Sequence, residues 1–214
     1  MQLSIAMAFG FGIAVLAYTF GHISGGHINP AVTSAFMFLG EISLVKGLLY
    51  MVAQMSGAFI GALLLWACTS GLTADCIAVD GVVSGGFRDG GDVRGTCVAS
   101  FNGEDDFAPP YFLAVNQLSD NTTIYGGFLL ELIGTFLLVI TVLLTAVDPN
   151  SAAGNLAPAA IGWSVMLCHI VMIPFTNCGI NPARSFGPMI VDLIAGVDPS
   201  FRGWWCYYTA PFVG

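Results

Sequence analysis

The chain has 214 residues, 56% hydrophobic and only 8% charged, with a mean hydropathy of +0.83. A soluble domain carries about a quarter charged residues, so this composition cannot cover a water-facing surface and excludes an ordinary soluble protein. The net charge of −8 argues against nucleic acid as a partner, because such proteins present basic patches.

The first apolar run covers roughly 3–21 and contains no charged residue. About 20 such residues cross a hydrocarbon core ~30 Å thick. No basic flank precedes it and no small-residue cleavage site follows, so it reads as a span and not a signal peptide. Next comes GHINPAV at 26–32. Asn is a preferred helix N-cap and Pro is favoured at the first helical position, so Asn29-Pro30-Ala31 predicts a helix start. The helix can run only to about Gly40, half a membrane thickness at 1.5 Å per residue. A second span, 43–67, carries Gly57 and Gly61 at a small-xxx-small spacing suited to close helix contact.

The segment 68–123 reads as a long acidic loop: Asp75, Asp80, Asp89, Asp92, Glu104, Asp105, Asp106 and Asp120 stand against Arg88 and Arg94. Asn121-Thr122-Thr123 fits a glycosylation acceptor, and Cys76 and Cys97 could pair in an oxidising compartment. Both features favour an extracellular loop. Chance occurrence of the short pattern and free thiols are the alternatives, left open by the residues.

Spans follow at 124–147 and 156–175, and another apolar run begins near Trp204. The first of these holds Glu131 and the second Cys168 and His169. Cys178 and Gly179 lead into a second copy of the tripeptide, Asn181-Pro182-Ala183, followed by Arg184 and a helix expected to reach about Asp192. Aligning the tripeptides divides the chain into a first repeat (1–67), the loop (68–123) and a second repeat (124–214). On this alignment the first repeat is one span short at its start and the last span is cut. The expected parent is six spans in two repeats of three, with this chain a fragment of it.

Three crossings per repeat make consecutive copies inverted, with a site at the midplane between them. Two half-helices would then meet head to head. Each N-terminus presents unpaired N–H groups and about half a positive charge, a setting that donates to neutral oxygen and repels cations. Irregular backbone at that depth needs burial or a water-filled cavity, and Arg184 so placed needs an aqueous path or a partner. His169 taken alone reads better as a hydrogen-bonded core residue, and the alternative for Cys178 is an inert buried thiol.

GHISGGHINPAVT (21–33) and NCGINPARSFGP (177–188) resemble the two signature loops of the aquaporins, or major intrinsic proteins. The resemblance covers the whole chain, apart from a longer loop at 68–123. It implies an all-α membrane fold with two re-entrant half-helices, and passive single-file water conduction by each subunit of a homotetramer. No covalent chemistry, cofactor or metal is implied, and the partners are water and lipid. The expected location is multi-pass in the plasma membrane. Carried over by position, the narrow filter would be Phe9, His169, Cys178 and Arg184, with Glu131, His27 and Ser185 in support. Glu131 would accept hydrogen bonds from backbone of the second half-helix loop. His169 and Ser185 match the water-selective branch, whereas the glycerol branch has a smaller residue and an Asp there. Met189 and the pair Tyr207-Tyr208 depart from the common pattern. A thiol at the constriction further implies block by mercurials through Cys178.

Two other classes compete. One is a channel of the same fold for glycerol, hydrogen peroxide or ammonia. The other is a structural or adhesive membrane protein acting through the acidic loop. An enzyme fits worst, because His22 and His27 lack the i,i+4 metal spacing and no nucleophile–base pair stands out.

Overall fold

A computed structural model describes residues 2–69, 77–79, 82–84, 115–194 and 202–214. The order is α1 (Gln2–Ser24), α2 (Pro30–Phe38), α3 (Leu44–Thr69), β1 (Ile77–Val79), β2 (Val82–Ser84), α4 (Ile124–Val142), α5 (Ala157–Thr176), α6 (Pro182–Ile194) and α7 (Cys206–Val213). The fold is helical apart from the antiparallel ribbon β1–β2, in register Ala78 opposite Val83, within the segment read as a loop. Cys76, Cys97 and most of the acidic residues lie outside the described residues. A π turn, Leu143–Val147, ends α4, and a 3-10 turn, Gly154–Leu156, leads into α5.

Among the described residues, four helical stretches are long and apolar enough to cross a membrane: Gln2–Ser24, Leu44–Cys68, Ile124–Val147 and Gly154–Thr176. They turn Phe11, Val15, Leu48, Leu49, Ile133, Phe136 and Trp163 outward, at 50–64% exposure. Apolar side chains outside and polar ones within suit lipid as the solvent, and the protein is an integral membrane protein.

The two halves pack as an inverted repeat. α1 lies against α5, a pairing that maps onto itself as the contact of α2 with α6 does; α3 packs on α6 as α7 packs on α2. α3 also meets α2 within the first repeat, as α7 meets α6 within the second. Glycine sets the closest approach of α1 and α5. A Cβ at Gly162 would stand 2.5 Å from the Gly10 carbonyl oxygen and 2.7 Å from Ala14 Cβ. Close contact between α3 and α6 forms where Gly187 meets the Ala58 carbonyl and Ala62 is buried with Val191. Among the described residues the expected stripe Gly57/Gly61 makes no close contact: a Cβ at either would meet nothing within 4 Å. The packed stripe is one residue further round the helix, at Ala58 and Ala62.

Both short helices begin at their tripeptides. Asn29 caps α2 in extended conformation, its Oδ1 accepting from Ala31 N at 2.9 Å, with Pro30 at the first helical position. Asn181 Oδ1 accepts from Ala183 N at 3.0 Å and Arg184 N at 3.3 Å. α2 stops at Phe38, two residues short of Gly40, and α6 runs to Ile194, two beyond Asp192.

Candidate functional site

The two caps are bound to each other. Asn29 Nδ2 donates to the Ile180 carbonyl at 2.8 Å, and Asn181 Nδ2 donates to the Ile28 carbonyl at 3.0 Å. Each asparagine thus holds its own helix with the oxygen and the opposite loop with the nitrogen. Ile28 and Ile180 adopt left-handed backbone, with φ of 51° and 45°. A β-branched residue there costs about 1–3 kcal/mol and persists only where neighbours over-determine it. The crossed amide bonds supply that restraint, and they set the positive ends of α2 and α6 against one another in the middle of the bundle.

A cavity of about 100 Å³ passes these caps, bounded by Gly25, Gly26 and His27 and by Phe9, His169 and Arg184. At roughly 10–15 Å³ of accessible volume per water, it has room for a short file of waters. Ile13, Val32, Leu138, Val142, Ile161 and Val165 make much of the wall apolar, so polar contacts come at a few points only.

Three of those points converge at one end. The Phe9 and His169 rings stack with centroids 4.2 Å apart and planes 21° from parallel. The Arg184 guanidinium carbon lies 5.1 Å over the Phe9 ring, in cation–π range. His169 Nδ1 is 2.8 Å from the Val165 carbonyl, so Nδ1 carries the proton and donates. Its buried Nε2 has no hydrogen-bond partner among the described residues, and in the neutral ring it is an acceptor. Cys178 Sγ is 3.5 Å from His169 Nδ1, and the residue is fully buried, behind His169 and off the cavity wall. Phe9, His169 and Arg184 therefore meet at the cavity, while Cys178 reaches it only through His169.

Glu131 is fully buried, and its carboxylate accepts from Gly179 N at 2.9 Å and Ile180 N at 2.6 Å. Ser185 Oγ donates to Asn116 Oδ1 at 2.8 Å. His27 lies at the other end, its ring 4.2 Å from Phe36 and 5.3 Å from Tyr50 between centroids. Thr33 Oγ1 donates to the Asn29 carbonyl at 3.0 Å and accepts from Gln54 Nε2 at 2.8 Å, so His27 Nδ1, 3.2 Å away, donates to it as well.

With that geometry in place, comparison with known proteins is decisive. The family described as Major intrinsic protein matches residues 1–214. The chain belongs to the major intrinsic protein family. It is 34% identical over 213 residues to aquaporin-1 of Homo sapiens and of Pongo abelii, and 33% identical to that of Sus scrofa. Each alignment takes in 100% of this chain but only 63–64% of the relative, so the chain spans less than two thirds of the length of these relatives. The fold is similar to that of the aquaglyceroporin from Plasmodium falciparum, with a TM-score of 0.75 at 21% identity, covering 100% of this chain and 78% of that one.

Several residues that shape the cavity of this major intrinsic protein escaped the sequence reading. Thr33 stands four residues after the first tripeptide asparagine as Ser185, already named in support, stands four after the second, and aligning the repeats one step further would have found it. Asn116 lies next to the acidic stretch and resembles any loop amide, yet its Nδ2 donates to the Asn177 carbonyl at 3.2 Å. Tyr207, noted only as a departure from the common pattern, is 1% exposed with its hydroxyl 2.9 Å from the Thr176 carbonyl. Of the other departures noted, Tyr208 OH donates to Met189 Sδ at 3.4 Å.

Proposed function

We propose that this protein conducts water passively and in single file, excluding protons and ions, with Phe9, His169 and Arg184 as the narrow filter. The observation that carries the reading is the stacked Phe9–His169 pair with Arg184 over Phe9, at one end of the cavity that also passes Asn29 and Asn181. Kinship with proteins named aquaporin-1 supports it. Pores of this kind are the standing example of selectivity by diameter, lining donors and electrostatic barrier.

The filter works by replacement. A water entering the apolar cavity loses hydrogen bonds, and His169 Nε2 can accept one from it while Arg184 supplies donors. At the centre each asparagine Nδ2 has one hydrogen committed to the opposite loop and a second left for the water oxygen. A water held by two donors at its oxygen turns its own hydrogens outward to both sides, which breaks a continuous proton wire. The facing helix ends and Arg184 repel cations. The stacked rings leave a polyol neither width nor an unobstructed apolar wall. Nothing in this scheme needs a bond to be made or broken. Assembly as a tetramer in the plasma membrane belongs to the same proposal.

Stopped-flow shrinkage of proteoliposomes holding the full-length protein tests the reading. Fast water efflux with glycerol near the bare-lipid rate is expected. Glycerol flux comparable to water flux would replace it with a wider channel of the same fold. Loss of any difference from empty vesicles would leave the structural or adhesive alternative.

A further inference from the structure

We infer that Tyr207 is a positioning residue for the filter: its hydroxyl fixes the carbonyl at which α5 ends, and with it the turn between His169 and Arg184. The inference rests on the water-selective reading of the cavity. α5 ends at Thr176, and the last carbonyls of a helix have no partner within it. Tyr207 OH donates to the Thr176 carbonyl at 2.9 Å. Immediately after, Asn177, Cys178 and Ile180 all take left-handed backbone, with φ of 56°, 53° and 45°. Three such residues within four positions, none of them glycine, form a turn that holds only under restraint from outside.

The restraints come from three directions. Glu131 takes the N–H groups of Gly179 and Ile180. Asn116 Nδ2 donates to the Asn177 carbonyl at 3.2 Å, and Asn177 Nδ2 returns a longer contact to the Val115 carbonyl at 3.5 Å. Tyr207 grips both ends of the strained stretch. Its hydroxyl holds Thr176, and a Cβ on Gly179 would stand 2.8 Å from its ring carbon Cδ1. Releasing the hydroxyl leaves the Thr176 carbonyl only the longer contact from Asn116 Nδ2 at 3.5 Å and so loosens the start of the turn, whose far end feeds Asn181 and Arg184. Cys178, inside the turn, touches His169, so movement there reaches the stacked pair directly.

The inverted repeat supplies a matched control. Tyr50 on α3 donates to the Ser24 carbonyl at the end of α1, also at 2.9 Å. α3 and α1 are the counterparts of α7 and α5. Gly25 and Gly26 follow Ser24, with φ of 84° and 61°, so that turn places glycine where its counterpart has Asn177 and Cys178, and Ile28 is its one non-glycine residue at positive φ. The same hydrogen bond therefore holds a turn with one strained residue in one half and a turn with three beside the filter in the other.

Tyr207→Phe and Tyr50→Phe in the full-length protein separate positioning from mere stability. Water and glycerol permeability are measured in proteoliposomes, and the labelling rate of Cys178 by a small methanethiosulfonate is measured in membranes against a Cys178→Ser background. Tyr207→Phe is expected to raise the glycerol-to-water ratio at least threefold and to speed labelling of the otherwise buried Cys178 thiol. Tyr50→Phe should leave both at wild-type values. Unchanged ratio and labelling in Tyr207→Phe, or equal shifts in the two variants, would overturn the inference. Should Tyr207→Phe fail to reconstitute, labelling in the membrane still decides. If wild type itself passes no water, the pore reading fails while the labelling comparison still judges Tyr207.

Discussion

His169 keeps its place through a hydrogen bond to the Val165 carbonyl, a stacking contact with Phe9 and the Cys178 thiol 3.5 Å from its Nδ1, so its size is the adjustable part of the filter. His169→Ala should raise glycerol permeability about tenfold or more, the scale at which one steric group discriminates between substrates. Water flux should persist, because Arg184 and both asparagines remain. Proteoliposome swelling in paired water and glycerol gradients measures the ratio. Losing the stacked pair costs roughly 0.5–1.5 kcal/mol beyond area burial, so thermal unfolding should also begin earlier. At this scale the sequence was most readable where a residue was expensive in a membrane. A carboxylate in mid-span, an amide before a proline and an arginine after it each demand a partner or a cavity, and Glu131, Asn29, Asn181 and Arg184 could be picked out for that reason. Asn116 and Tyr207 carry no such mark. A loop amide and an aromatic in an aromatic run are inexpensive by themselves, and what they do depends on a turn some 30 to 60 residues away.

Among the elements, contact between α1 and α5 depends on the absence of two side chains. Gly162→Val would drive a Cβ into the Gly10 carbonyl and Ala14, and should destabilise the protein by about 1–3 kcal/mol, as overpacking does. Gly12→Val on α1 is the comparison, since a Cβ there meets nothing within 4 Å and a change of no more than about 0.5 kcal/mol is expected. Thermal unfolding in detergent, followed by intrinsic fluorescence, should show a lower midpoint for Gly162→Val alone. The same contrast explains what a pattern of small residues can and cannot tell. The spacing of Gly57 and Gly61 identifies a stripe on α3, but spacing does not say which stripe turns inward. Ala58 and Ala62 occupy the next one and meet α6. Helix existence was legible because runs of about 20 apolar residues have few alternatives. Facing is set by tertiary packing, and no local signal records it.

For the molecule as a whole, the repeat explains why the cavity sits between the halves, and the acidic segment is what the repeat does not explain. It separates α3 from α4, and its final residues are tied to the second repeat: Ser119 N donates to the Phe175 carbonyl at 2.9 Å, and Asn116 takes Asn177 and Ser185. Arg202 extends the same attachment, with its guanidinium donating to the carbonyls of Asp120 at 3.2 Å and Thr122 at 2.9 Å. The segment therefore divides by its contacts. Residues 115–123 hold the filter turn and the start of α4, whereas 75–110 belong to the stretch in which most of the acids lie. Deleting 75–110 with a short Gly/Ser joint should leave water permeability and the glycerol-to-water ratio within about twofold of wild type, since closing a loop of a different length costs only a few tenths of a kcal/mol to about 1 kcal/mol. Extending the deletion through Asn116 should raise the ratio, because the Asn177 carbonyl and Ser185 then lose their common partner. Proteoliposome fluxes for the two deletions, compared side by side, check the division. Loss of conduction in the shorter deletion would make the acidic stretch part of the pore, and an adhesive role would predict that cell-surface association disappears while both fluxes stand.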